Sequence, residues 1–214
     1  MRSLVIMIRR GSALLILAKA PIAGRVKTRL IPATGPGKAA ALHAAMVLRT
    51  LHTAQHSGSD TIELWCHPRA QHPFFRLCRS RFGIVLKTQH GQNLGARIVH
   101  AVSDALKRYR SAVVIGTDCP ELCVHDLKQA WQWLNGPYGA VLGPCEDGGY
   151  FLIGLRRPLP ELFRDMPWGG SEVLKTTRLR LGRLSVPWAE LPLRWDLDRP
   201  QDLSRWLNRR RFGA

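Results

Sequence analysis

With 214 residues, 45% of them hydrophobic and 22% charged, the chain has the length and composition of a globular unit with a well-buried core, which excludes a disordered or low-complexity role. Its 32 Lys and Arg against 15 Asp and Glu give a formal charge of +17, a field that attracts polyanions such as nucleotides, nucleic acid or an anionic membrane surface. Five cysteines without disulfide-framework spacing point to reduced thiols and a cytoplasmic protein, and no segment approaches the ~18 uninterrupted apolar residues of a membrane span.

The apolar opening at residues 4–8 is interrupted by Arg9 and Arg10 before a signal-peptide core of the usual length can form. Cys119, Cys123 and His125 lack the second ligand pair that a zinc finger needs. Arg outnumbers Lys, 25 to 7, along the whole chain; only residues 205–211 form a dense basic run, which reads as a solvated helix end, so no specific nucleic-acid site is expected.

Apolar runs at residues 13–18, 61–66, 84–87, 112–115 and 140–142 alternate with longer segments of helical period, the signature of an α/β fold. Ala44, Val47, Leu48, Leu51 and Ala54 share one face of a helix whose first turn accepts Pro36. Leu94, Ile98, Ala101, Val102 and Ala105 repeat that pattern, and residues 122–134 predict another helix, with Trp131 and Trp133 as packing residues. After Pro144 the alternation loosens into a strand-like 150–155, a Pro-rich connection, a helix near 171–181 and a Trp- and Pro-bearing segment through Asp196. No linker or repeat divides the chain. The expected organisation is one domain over 1–214, with a nucleotide-binding half (1–144) and an acceptor-side half (145–214) that completes the same sheet.

The run at 112–115 stops at Gly116-Thr117-Asp118-Cys119-Pro120, which puts Asp118 at the carboxyl end of a central strand, where open α/β sheets bind ligands. Acids are scarce here, yet seven of the 15 fall in three short segments, Asp118/Glu121, Glu146/Asp147 and Asp196/Asp198/Asp202. In so basic a chain, such clusters are candidates for holding a cation. After the first strand, Lys19, Arg25, Lys27 and Arg29 bring four cations into eleven residues around Pro21 and Gly24, a loop suited to wrapping phosphates, although it has neither Walker nor dinucleotide-fingerprint spacing. The alternative is a solvated basic loop.

Pro144-Cys145-Glu146-Asp147-Gly148-Gly149-Tyr150 follows the fifth strand and is either a plain turn or more acid at the same rim. In Trp195-Asp196-Leu197-Asp198-Arg199-Pro200-Gln201-Asp202, Asp202 is explained as a helix-dipole partner behind Pro200, whereas one of Asp196 and Asp198 is a candidate metal ligand. Gln89 and Asn93 could read a base or ribose, or Asn93 could simply cap the following helix. His43, His52, His56, His67, His72 and His100 have no partners in sequence and read as surface or core residues.

The ordered set of these segments resembles the small bacterial transferases of glycosyltransferase-A fold, the glycosyltransferase or radical-SAM-associated transferase family. The matching residues are Ala18-Lys19-Ala20-Pro21 with 24–30, then Gln89, Leu94-Gly95-x-Arg97, and Gly116-Thr117-Asp118-Cys119-Pro120. Gly143-Pro144, Asp147-Gly148-Gly149-Tyr150, Leu152-Ile153-Gly154 and Asp196-x-Asp198-x-Pro200-x-Asp202-Leu203 complete it. The chain departs from the family at Trp168-Gly169-Gly170-Ser171, where Ser-Thr usually follows the tryptophan, and at Arg199, where Thr usually precedes the proline. The resemblance implies a Rossmann-like three-layer α/β/α fold with a mostly parallel sheet, of the nucleotide-diphospho-sugar transferase type. It also implies nucleotide or phosphate contacts from Lys19, Gly24, Arg25, Lys27, Arg29, Gln89, Gly95 and Arg97, and Mg2+ or Mn2+ on Asp118 and Asp198. Acceptor contacts would come from Gly148, Gly149, Tyr150, Trp168 and Ser171.

The expected activity is transfer from a nucleotide-activated donor, foremost glycosyl transfer from a nucleotide sugar to a small-molecule acceptor, with Lys27, Asp118 and Asp147 as catalytic residues. The alternative is nucleotidyl transfer, in which a nucleoside triphosphate reacts with a phosphorylated acceptor and pyrophosphate leaves. A more distant one is a basic nucleic-acid-binding protein, which would leave the clustered acids unexplained.

Overall fold

The computed structural model describes residues 11–212, with side chains through residue 208. The opening residues 4–8, Arg9, Arg10 and the side chains of the basic run 209–211 lie outside the described residues. In chain order the elements are β1 (Ser12–Lys19), α1 (Ile31–Thr34), α2 (Pro36–Gln55), β2 (Thr61–His67), α3 (Pro73–Phe82), β3 (Val85–Thr88), α4 (Leu94–Leu106) and β4 (Ser111–Ile115). They continue with α5 (Val124–Asn135), β5 (Ala140–Pro144), β6 (Tyr150–Leu155), α6 (Val173–Arg183), β7 (Trp188–Glu190) and α7 (Pro200–Phe212).

The strands form one sheet in the order β3-β2-β1-β4-β6-β5-β7. β6 runs antiparallel to β4 and β5, and every other pairing is parallel. This is the mostly parallel three-layer α/β/α architecture expected from the sequence. The boundary at residue 144 falls inside the sheet, because β6 from the second half pairs with both β4 and β5 of the first.

Both faces of the sheet are covered, which is why its central strands are continuous apolar runs rather than alternating ones. On β1, Leu14, Ile16 and Ala18 face one buried cluster with Val47 and Leu51 of α2, Phe75 of α3 and Leu127 of α5. Ala13 and Leu15 face a second cluster, with Ile98 and Val102 of α4 and Leu174 and Leu181 of α6. Each fully buried Leu or Ile contributes ~1.5–3 kcal/mol, so a one-residue register slip, which would exchange the two faces, is strongly disfavoured.

A third, smaller cluster matters most for the site. Leu30, Met46, Trp195 and Leu197 are all at most 2% exposed and pack together, tying the loop after β1 to α2 and to the segment before α7. Strand order also reverses at β1, with β2 and β3 on one side and β4 on the other, so the crevice opens between the carboxyl ends of β1 and β4.

Candidate active site

The loop after β1 turns at Gly24, whose φ of 80° lies where a side chain is strained, and then passes into a short 3-10 turn at Thr28–Leu30. Lys27, just ahead of that turn, also has a left-handed backbone, with φ of 48°. Leu30 anchors the turn in the third cluster, and the Lys27 side chain, 3% exposed, reaches inward. Its ammonium lies 2.6 Å from Asp118 Oδ1 and donates to the carbonyl of Leu197. Arg29 pairs with Asp198.

The acids come from two elements sewn together by backbone. Leu197 N donates to Asp118 O at 2.8 Å, Arg194 N to Pro144 O at 3.0 Å, and Glu146 N to Arg194 O at 2.9 Å. The segment 194–198 therefore runs as a strap along the ends of β4 and β5. Its side-chain anchor is Arg194, bound at 2.9 Å to Asp126, a fully buried carboxylate in the first turn of α5. Asp202 accepts from the backbone N–H of Asp198 and Arg199 at 3.1 and 2.6 Å and serves as the helix-start group expected of it.

Electrostatics separates the carboxylates. Burial would raise the Asp118 carboxyl, but the Lys27 ammonium outweighs it, with help from His43 and Lys19, and holds it below the usual range. Half of the Asp118 side chain stays exposed to the crevice. Asp196 is pushed up to about 7, first by burial and then by the charge of Asp118, and its Oδ1 accepts from the Cys145 thiol at 3.3 Å. Two neighbouring carboxylates with pKa values driven apart are an arrangement typical of sites that bind or transfer charge.

Two cavities meet at these acids. The larger, about 680 Å3, is lined by Lys19, Arg25, Lys27, Arg29 and Arg97 together with His43, Gln89 and Asn93. The smaller, about 330 Å3, is lined by Asp147, Gly149 and Trp168 with apolar side chains of the sheet and helices. Asp118, Tyr150, Asp196 and Asp198 belong to both walls. The basic loop, Asp118 and Asp198 thus line one crevice, the convergence expected of them.

Several expected contacts take a different form. Both amide hydrogens of Gln89 are used on the carbonyls of Ala18 and Trp65, at 3.2 and 2.7 Å, so its carbonyl oxygen alone is left to a ligand. Asn93 caps α4, accepting from Ala96 N at 2.9 Å. Gly95 is absent from both linings; a Cβ there would stand 2.9 Å from Phe163 O and 3.0 Å from the Trp168 ring, so it permits close packing of α4 on that loop instead. Gly148 has φ of 83° and lies too close to Ser171 O for any side chain, so these two residues hold the 145–149 and 169–173 loops together behind the smaller cavity. Glu146 is drawn away from the rim into a bidentate pair with Arg205 of α7, at 2.7 and 3.0 Å. His43 is buried at the crevice floor, with Nε2 3.0 Å from Lys19 O, and no signal in the sequence distinguished it from the other histidines.

Among the described residues no three His, Cys, Asp or Glu side chains form a ready-made metal cage. Mg2+ and Mn2+ seldom need one: such hard cations take one or two carboxylates and complete their shell with water and substrate phosphate. Asp118 and Asp198 offer oxygen donors only, on the wall where a cation-lined cavity meets an acidic one, and fit that chemistry.

Residues 50–170 match the bacterial family DUF2064, described as an uncharacterized protein conserved in bacteria. The chain belongs to that family. No curated protein matches it. Among solved structures this DUF2064 chain is similar to a Desulfovibrio desulfuricans G20 protein provisionally described as a nucleotide-diphospho-sugar transferase, with 29% identity, a TM-score of 0.85 and coverage of 95% of this chain and 89% of that one. It shares its fold with a Leptospira borgpetersenii cytidylyltransferase, at 13% identity and a TM-score of 0.61 over 96% and 88% of the two chains. Rv0371c from Mycobacterium tuberculosis H37Rv, solved with manganese, shares the fold at 18% identity and a TM-score of 0.58 over 94% and 99%. The architecture of this DUF2064 protein is that of nucleotide-using transferases.

Proposed function

We propose that the protein transfers a glycosyl group from a nucleotide sugar to a small-molecule acceptor with the help of Mg2+ or Mn2+. The observation that carries this reading is the polarity of the crevice, with a cation-lined cavity large enough for a nucleoside diphosphate joined through Asp118, Asp196 and Asp198 to a smaller cavity that no cation lines among the described residues. Lys19, Arg25 and Arg97 grip the diphosphate, and Lys27 and Arg29, already at the acids, stabilise the charge that grows on the leaving phosphate. Asp118 and Asp198 would hold the divalent ion, which supplies Lewis-acid neutralisation of the same oxygens. Asp147, on the acceptor side, orients the acceptor hydroxyl and receives its proton. The acceptor oxygen bonds to the anomeric carbon as the bond from that carbon to the phosphate oxygen breaks, and nucleoside diphosphate leaves.

Nucleotidyl transfer is the second reading, favoured by the number of cations in the larger cavity, which also suit a triphosphate. Products separate the two. Incubation with nucleotide sugars and Mg2+ or Mn2+ is expected to release nucleoside diphosphate; pyrophosphate release from triphosphates and phosphorylated acceptors alone would establish the second reading. Asp118→Ala is expected to abolish turnover while the protein stays folded, and unchanged turnover would remove Asp118 from the chemistry.

A further inference from the structure

The smaller cavity identifies the class of acceptor, an inference that rests on the transfer reading above. Its walls are Ile98, Val173, Tyr150 and Trp168, and its polar side-chain groups are the Tyr150 hydroxyl, Asp147 and the three acids shared with the larger cavity, Asp118, Asp196 and Asp198; among the described residues no Lys, Arg or His lines it. Sites that take phosphate or carboxylate ligands use Arg, Lys or a helix N-terminus with free amides. Two helices, α4 and α6, begin at this cavity, and each has one of its first amides already bonded. Asn93 already caps Ala96 N at 2.9 Å at the start of α4, and at the start of α6 the Leu174 N–H is taken by Gly148 O at 2.8 Å. Lys27 already pairs with Asp118 and Arg29 with Asp198, which leaves Asp147 and Asp196 as the carboxylates of this cavity without an ion pair among the described residues. An anionic acceptor would then be desolvated beside like charge with no counter-charge of its own.

We infer that the acceptor is an uncharged or cationic molecule with an apolar body, aromatic or branched aliphatic, that carries its hydroxyl or amine toward Asp147, and that phosphorylated and carboxylated acceptors are excluded. The Trp168 face and the aliphatic wall take the body, and the carboxylates take the polar end.

The test is binding of four probes of one shape to the full chain without donor, by saturation-transfer NMR: 2-phenylethanol, 2-phenylethylamine, 3-phenylpropanoate and 2-phenylethyl phosphate. The alcohol and the amine are expected to bind about tenfold or more tighter than the two anions, the discrimination that like-charge juxtaposition gives. Trp168→Ala is expected to weaken both favoured probes. Gly170→Lys should narrow the gap by bringing a cation to the rim, at an exposed position where a Cβ meets only Pro167 O at 3.4 Å. Tightest binding of either anion, absence of saturation for all four probes, or indifference to Trp168→Ala would overturn the inference. Nucleotide binding and nucleoside diphosphate release are measured separately: if they fail while the probe order holds, the transfer reading falls and the cavity's selectivity stands. If they succeed while an anion binds best, the acceptor class falls alone.

Discussion

Lys27 combines two features that are each unfavourable. Its left-handed backbone costs about 1–2 kcal/mol in a residue with a Cβ, and its ammonium is almost wholly withdrawn from water. What offsets them is Asp118 at 2.6 Å and the carbonyl of Leu197, so the strained lysine is stable only with the acid opposite it. Asp118→Asn keeps the volume and removes the charge. Turnover is expected to fall by about 100-fold or more, the scale of losing a group that stabilises transition-state charge, and the melting temperature is expected to fall with it. Lys27→Met added to that variant should restore melting temperature without restoring turnover; simple addition of the two thermal losses would show that the pair is not a unit. The pH dependence has a definite sign. Because the Asp118 carboxyl is held below its ordinary value in the folded protein, its contribution is present at and above the ordinary carboxylate range and is lost as pH falls through the depressed value. Asp196, raised to about 7 in part by the charge of Asp118, takes up its proton over the same range and relieves that repulsion in the wild type alone, so the melting-temperature gap between wild type and Asp118→Asn should widen as pH falls from 8 to 5 and close in more acidic buffer.

At the scale of elements, the strap 194–198 owes its path to one buried pair. Asp126 has no exposure, and Arg194 at 2.9 Å is its counter-charge. Arg194→Met strands that carboxylate and is expected to cost about 3–5 kcal/mol in urea unfolding, while Asp126→Ala in the same chain should recover much of the loss. Turnover should not recover in the double variant, since neither chain retains the tie that aims Asp196 and Asp198; full activity there would show that the backbone bonds to Pro144 and Glu146 suffice. The strap also marks where sequence reading stopped. β1, β2, β4, β5 and the helices α2, α4 and α5 were legible because fully buried strands are unbroken apolar runs and long helices repeat their apolar face several times. α3 buries only Phe75 and Cys78 among many charges, and β7 has three residues beside a proline, so neither offers a period to read. Asp118 was legible from its place after a buried strand. The division of labour between Asp196 and Asp198 was not, because it depends on Cys145, Arg29 and Arg194, residues far away in sequence that only folding brings near.

For the whole molecule, the question is how a site selects a nucleotide when a charge of +17 attracts every polyanion. Surface cations act through a field that salt screens within about 8–10 Å, and polyanion binding falls steeply with ionic strength as counterions are released. The larger cavity is different in kind, because its cations converge on a bounded space of about 680 Å3 and at least one of them, Lys27, is nearly removed from solvent. A ligand there is held by short charge-assisted bonds that screening weakens far less. Binding to the folded state alone raises stability by about 2.7 kcal/mol at one hundred times the dissociation constant, which for a chain of this length is a melting-temperature rise of about 5–10 °C. The expected result of a thermal-shift series is that a nucleotide sugar with Mg2+ or Mn2+ keeps most of this rise between 50 and 200 mM salt, whereas the rise caused by single-stranded DNA disappears over the same interval. Parallel loss of both shifts would mean that nucleotides, too, are held by the diffuse field, and that the convergence of Lys19, Arg25, Lys27 and Arg29 on the acids confers no selectivity.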